Sequence, residues 1–277
     1  MPVYPFNIQI GPLEITGYGI MMMAGFLAGG WLIERELRRL DFRAEYSGDI
    51  VLAAVVGGVI GAKLWYVALT GDPDALFSRG GLVWYGGFLG GVTAVILMSL
   101  KRGVPVRWTA QLCAPALPAA YAIGRAGCFM VGDDYGRPTT LPIGVQFPEG
   151  LPPTTAGSLQ ANFGVAVPPG TDPTQVLSVH PTQLYEVAIM LLVFMMLWRW
   201  RAQKLGTGWL FGAYLIMGGV ERFLVEILRA KDDRFFGGLT LAQLTSLALI
   251  TAGLTLVLKL RNQGSTDPGA WLGRRNA

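Results

Sequence analysis

An arginine stands where hydrocarbon is expected. Arg125 lies near the end of an apolar segment, flanked by Gly124 and Gly127, in a stretch (124–138) that leads into the longest polar region of the chain. Charge at membrane depth is costly and marks function by default, and glycines let a backbone or a ligand come close. A second apolar segment holds Arg222 and Glu226 four residues apart, with Arg229 three further on, so all three share one helical face. A guanidinium braced by a carboxylate offers a planar fork that fits two phosphate oxygens. A third apolar segment holds Glu186 and opens with His180-Pro181, which sets the only histidine at a helix entrance. That histidine has the one side chain whose unperturbed titration lies near neutrality, and it is equally placed to act as a cap. Together these groups point to recognition of a phosphate by preorganised cations.

The elements that must position them are membrane helices. Of 277 residues, 52% are hydrophobic and 14% charged, where a soluble domain carries about 25% charge. A spanning helix needs about 20 mostly apolar residues. Seven segments qualify: 15–33, 49–69, 82–100, 108–131, 181–198, 207–228 and 239–258. The fold class expected is therefore an all-α integral membrane protein with about seven transmembrane helices. Arg35, Arg38, Arg39, Arg43, Lys101, Arg102, Arg107, Arg199, Arg201, Lys204, Lys259, Arg261, Arg274 and Arg275 fall on one side of this arrangement and are most of the 22 Lys and Arg. Positive charge marks the cytoplasmic side, so the N-terminus is expected outside and the C-terminus inside. Arg229, Lys231 and Arg234 run against this bias, in a loop they share with Asp232 and Asp233.

The polar, Pro- and Gly-rich stretch between the fourth and fifth segments reads as a periplasmic head. The chain then divides into helices at 1–131, the head insert at 132–180, helices at 181–260 and a cytoplasmic tail at 261–277. A short strand is expected within 141–147, and no cleavable leader, because a basic n-region is missing. With the helix directions fixed, Tyr18, Lys63, Tyr85, Arg125, Glu186, Arg222 and Glu226 all fall in the outer half of the membrane. A cationic cavity open to that side follows. The basic residues sit beside apolar segments and report topology, which argues against nucleic acid as a partner. Cys113 and Cys128 make neither a disulfide framework nor a metal-ligand pattern, so no metal or cofactor is expected. Cys128 reads as a packing residue, Gly86-Gly87-Phe88-Leu89-Gly90-Gly91 as a helix-packing face, and Asp133 and Asp134 as loop solvation or a brace for the glycine-rich turn.

Four blocks resemble the bacterial prolipoprotein diacylglyceryl transferase family. Gly124-Arg125-Ala126-Gly127-Cys128-Phe129 followed by Gly132 and Tyr135-Gly136 is similar to the family signature. His180-Pro181-Thr182-Gln183-Leu184-Tyr185-Glu186 resembles its H-P-[ST]-Q-L-Y-E block. Glu221-Arg222-Phe223-Leu224-Val225-Glu226-Ile227-Leu228-Arg229 resembles its R-x-x-x-E-x-x-R helix, and Gly17-Tyr18-Gly19 the start of its first helix. The resemblance implies a bacterial inner-membrane enzyme that moves a diacylglyceryl group from phosphatidylglycerol to the lipobox cysteine of a preprolipoprotein signal peptide. A thioether forms and glycerol phosphate leaves. It also implies that Arg125 and Arg222 hold the phosphate, that Glu226 orients Arg222, and that Tyr18 and Tyr85 stand at the reacting centre. Gly127, Asp133, Gly136, His180, Glu186 and Arg229 would line the substrate site.

The chain departs from the family pattern at Tyr85, where many members read histidine, at Cys128, where many read asparagine, and at Asp133, where many read glutamate. The histidine is often proposed as the base that activates the thiol. Three explanations stand: Tyr85 serves as base with nearby arginines lowering its pKa, the thiolate needs no strong base in a cationic site, or the chain is a paralogue with another thiol acceptor. A lipid-binding or anion-transporting protein would use the same cavity without chemistry.

Overall fold

The fold is built from helices whose ends are set by local chemistry. In the computed structural model the described residues are 1–11, 13–77, 82–203, 205–230, 234–236 and 238–263. Lys204, Lys231, Asp232, Asp233, Arg274 and Arg275, used above for orientation, and the tail from 264 onward lie outside them. An antiparallel hairpin, β1 (Asn7–Ile10) and β2 (Leu13–Thr16), feeds α1 (Gly17–Arg39), which Thr16 caps by accepting a bond from the Gly19 amide at 3.2 Å. Then follow α2 (Tyr46–Thr70), a short 3-10 turn (Pro73–Phe77), α3 (Trp84–Lys101) and α4 (Val106–Val131). Gly71 and Gly132 end α2 and α4 in the left-handed region, at φ 67° and 69°. After α5 (Ala156–Phe163) come α6 (Thr182–Trp200), α7 (Trp209–Glu226), strands β3 (Arg234–Phe236) and β4 (Leu239–Thr240), and α8 (Leu241–Leu260), which opens on a Thr240/Gln243 capping box.

The chain is thus predominantly helical, with eight α-helices among the described residues. Helices α2, α3, α6 and α8 are long and apolar enough to cross a membrane. Helices α1, α4 and α7 have 23, 26 and 18 residues and hold Glu36, Arg125, Glu221, Arg222 and Glu226 among them. Helix α4 is the hub, packing on α1, α3, α6 and α7, while α2 pairs with α3 and α7 with α8.

Two local expectations change. The first helix starts at Gly17, not at 15, because residues 13–16 pair as β2. No strand forms in 141–147. Val145 bridges Val179, and Gln146 bridges Pro2, so this stretch is satisfied by distant single pairings instead of a local ladder. The polar insert has its own core of Tyr135, Phe147, Leu159 and Val179, closed by Ala230 from the segment after α7 and by Val3 from the N-terminus.

The glycine face on α3 is a packing face, as expected. A Cβ on Gly61 would stand 2.3 Å from the Gly86 carbonyl oxygen and 2.8 Å from the Gly90 Cα. Both obstacles are backbone, so only helix displacement relieves them. Gly61→Ala should therefore lower the melting temperature of the purified protein by several degrees. Gly48→Ala, where the added Cβ meets nothing within 4 Å, should leave it unchanged or raise it slightly.

Candidate active site

The turn after α4 is pinned by the start of α6. Thr182 Oγ1 donates to the Asp134 carbonyl at 2.9 Å, Gln183 Nε2 donates to the Asp133 carbonyl, and the Gly136 amide donates to the His180 carbonyl at 2.8 Å. Asp134 takes φ 57°, a left-handed conformation that aspartate tolerates better than most residues. Held this way, its carboxylate meets arginines from two other parts of the chain.

The result is a closed ring of alternating charge. Arg125 Nη1 lies 2.7 Å from Asp134 Oδ2, and Asp134 Oδ1 bonds Arg229 Nη2. Arg229 Nε lies 3.7 Å from Glu226 Oε2, which forms an ion pair with Arg222 Nη2 at 2.7 Å. Arg222 Nη1 lies 3.9 Å from Glu186 Oε1, and Glu186 Oε2 returns to Arg125 Nε at 2.8 Å. The ring joins α4, α6, α7, the turn after α4 and the segment after α7. Tyr121, one turn before Arg125 on α4, accepts from Arg125 Nε and donates to Glu186 Oε1, each at 3.0 Å. Glu186 and Glu226 side chains are 0% and 1% exposed, so neither is separable from its cations without stranding buried charge.

Three guanidiniums face three carboxylates. The cavity expected to be cationic is charge-balanced, because the acids that bring the arginines together also neutralise them. Two features leave it open to an anion. Arg222 Nη1 is buried without a hydrogen-bond partner among the described residues, and Asp134 is 41% exposed. Burial opposes ionisation of Asp134, but the Arg229 and Arg125 guanidiniums outweigh it and hold the carboxyl well below the usual carboxylate range. Its neighbour Asp133 goes the other way. Burial, then the nearby Asp134 charge, pushes Asp133 up to about 6.

The remaining expected residues fall into place unevenly. Gly127 is where α1 crosses α4, since a Cβ there would stand 3.1 Å from the Tyr18 Cα, and Tyr18 is within electrostatic reach of Arg125 and Asp133. Gly136 is wedged between His180 and the Leu228 carbonyl oxygen. His180 Nδ1 pairs with Tyr185 Oη at 3.2 Å and joins none of the ring contacts. Tyr85 is 43% exposed, packs on Trp84 at 5.2 Å between ring centroids, and is likewise not a member of the ring. Cys128 Sγ is 3.7 Å from Arg125 Nη1. Its sulfur and the carboxylates of Asp133 and Asp134 lie within 4.8 Å of one another, but the guanidiniums sharing that space disfavour a cation.

Sequence reasoning missed three residues. Tyr121 was detectable from its i,i+4 spacing to Arg125. Glu221, 2% exposed and with Oε1 unpartnered among the described residues, was detectable as an acid in an apolar segment. Asp134 carried no such signal. Two consequences are measurable. Glu186→Gln weakens the hold on the Arg125 and Arg222 guanidiniums and should cost about 3–5 kcal/mol, whereas Glu221→Gln, which breaks no ion pair among the described residues, should cost under about 1 kcal/mol; melting in detergent ranks them. The raised Asp133 pKa means that its ionisation works against the fold. That penalty is absent below pH about 4, grows as pH rises through about 6 and is full above it. Asp133→Asn should therefore gain stability relative to the parent as pH climbs from 4 to 7.

A model of the prolipoprotein diacylglyceryl transferase family matches residues 5–259. The chain is 33% identical over 268 residues to the phosphatidylglycerol–prolipoprotein diacylglyceryl transferase of Nitratidesulfovibrio vulgaris (strain Hildenborough), covering 91% of this chain and 93% of that protein. It is 31% identical to the protein of that name from Clostridium tetani, over 90% and 95% of the two chains. For that of Vibrio atlanticus the identity is 30%, over 94% and 92%. On a family match that spans nearly the whole chain and on relatives at 30–33% identity, the chain belongs to the prolipoprotein diacylglyceryl transferase family.

Proposed function

We propose that this chain transfers a diacylglyceryl group from phosphatidylglycerol to the cysteine thiol of a preprolipoprotein lipobox, in the bacterial inner membrane. Seven helices (α1–α4 and α6–α8) cross the bilayer, the N-terminus and the insert at 132–180 face the periplasm, and the tail faces the cytoplasm. The observation that carries the reading is the meeting of Arg125 and Arg222, from two different helices, on the fully buried Glu186.

The chemistry follows from that geometry. The sulfur attacks a glycerol carbon of the lipid, a C–S bond forms, and the C–O bond to the phosphate breaks. The thiol gives up its proton to water, and glycerol phosphate leaves with the electron pair. Negative charge grows on the phosphate as the bond breaks. Guanidiniums fixed beforehand stabilise that charge without reorganising, which is where catalysis by positioned cations is strongest. Glu226 and Glu186 hold Arg222 and Arg125 in place, Arg229 extends the cationic edge, and Tyr18, Gly127, Asp133, Gly136 and His180 shape the wall. Tyr85 is not a member of the ring, so the thiol relies on the site's field. The sequence match over nearly the whole chain supports transfer over anion transport.

Purified protein incubated with phosphatidylglycerol and a lipobox peptide should add one diacylglyceryl mass to the peptide cysteine. Arg125→Ala and Arg222→Ala should each reduce the rate by about a hundredfold or more, while Cys128→Ala retains transfer. An inactive Cys128→Ala beside active arginine variants would contradict these roles.

A further inference from the structure

The ring contains one member unlike the other five. Glu186 and Glu226 lie on helices with their side chains 0% and 1% exposed. Asp134 lies on a turn, is 41% exposed, and gives one oxygen to each of two arginines: Oδ2 to Arg125 and Oδ1 to Arg229. Those arginines are 12% and 10% exposed. Each points its guanidinium at the same small anionic group from a different side.

We propose that Asp134 occupies the phosphate position of the site, and that the lipid phosphate binds by displacing its carboxylate from Arg125 and Arg229. The inference deepens the function proposed above and rests on it for the identity of the lipid. A phosphodiester carries a single negative charge and two non-bridging oxygens. It therefore replaces a carboxylate one for one, with one oxygen per guanidinium, and leaves the ring balanced. No other acid in the ring can yield its place. Withdrawing Glu186 or Glu226 would leave a carboxylate and its cations buried without partners, whereas Asp134 swings into water. Its backbone need not move, since Thr182 and Gln183 hold the carbonyls of Asp134 and Asp133 independently of the side chain. With the site empty, Asp134 keeps two buried guanidiniums paired. With lipid present, it competes, so the resting pairing is bought with some affinity. Arg229 thereby becomes a direct phosphate ligand beside Arg125, and Arg222 is left to offer Nη1, which makes no hydrogen bond among the described residues.

The test uses the full chain in phosphatidylcholine nanodiscs, titrated with short-chain phosphatidylglycerol and, in parallel, with inorganic phosphate. Asp134→Asn removes the competing charge and should tighten phosphatidylglycerol binding by roughly fivefold, while Arg229→Gln should weaken it by about tenfold or more. If Asp134 is only a brace for the arginines, Asp134→Asn weakens binding as Arg229→Gln does, and the proposal falls. Tightening seen for inorganic phosphate alone would overturn the assignment to a lipid. A second measurement needs no variant. Carbodiimide labelling of the Asp134 carboxyl in the parent protein, read by mass spectrometry, should rise on adding phosphatidylglycerol. Unchanged or reduced labelling contradicts displacement. Transfer to a lipobox peptide is scored on the same preparation. Transfer with weaker Asp134→Asn binding sinks this inference alone; no transfer with tighter binding and raised labelling sinks the proposed reaction and leaves the phosphate site standing.

Discussion

The structure depends on a carboxylate that water does not reach. Glu186 is fully buried on α6 and holds Arg125 of α4 at 2.8 Å, with Arg222 of α7 at 3.9 Å. A charge so placed is tolerable only if its partners are already there, and the partners only if it is. The three helices are therefore locked together by a condition none of them satisfies alone. Glu226 imposes the same condition between Arg222 and Arg229. The packing of α4 against α6 and α7, the short cap at Gly132 and the bonds from Thr182 and Gln183 all serve to bring these groups within reach. Hydrocarbon surroundings set the cost of a misplaced charge high, and that cost is what makes the arrangement specific.

A balanced ring is a different device from a cationic pocket. A pocket with excess positive charge would attract any anion and would strain the fold whenever it stood empty. A ring with one exposed, exchangeable acid keeps its cations ion-paired at rest and presents them in a fixed geometry when an anion arrives. The insert contributes to this directly. Its turn carries Asp134, its Gly136 is clamped beside His180 and the Leu228 carbonyl, and its core is closed by Ala230, immediately after Arg229. The insert and the helices that carry the rest of the ring are thus one assembly.

Much of this was legible in the residues. Arg125, Glu186, Arg222 and Glu226 stood out because charge inside apolar sequence is rare, and helical spacing put the last two together. The segments at 49–69, 82–100, 181–198 and 239–258 are matched by helices whose hydropathy is nearly uninterrupted. What was not legible has a common cause. Asp134 sits in a polar stretch where an aspartate looks solvated, and only the tertiary path through φ 57° turns it toward two arginines. Val145 and Gln146 looked like part of a strand, yet their partners, Val179 and Pro2, are too far along the chain for any local pattern to announce. Tyr85 was expected at the reacting centre, yet it is not in the ring: it lies on the α2–α3 pair, whose glycines bind those two helices to each other more closely than to α4. The direction a side chain faces across the bundle cannot be read from sequence.

The most direct measurement is an experimental structure with phosphatidylglycerol bound. The account predicts the lipid phosphorus within hydrogen-bonding range of the Arg125 guanidinium and of at least one other ring arginine, with Glu186 still bridging Arg125 and Arg222. A headgroup seated elsewhere while the ring stays closed, or arginines that do not gather on Glu186, would contradict it.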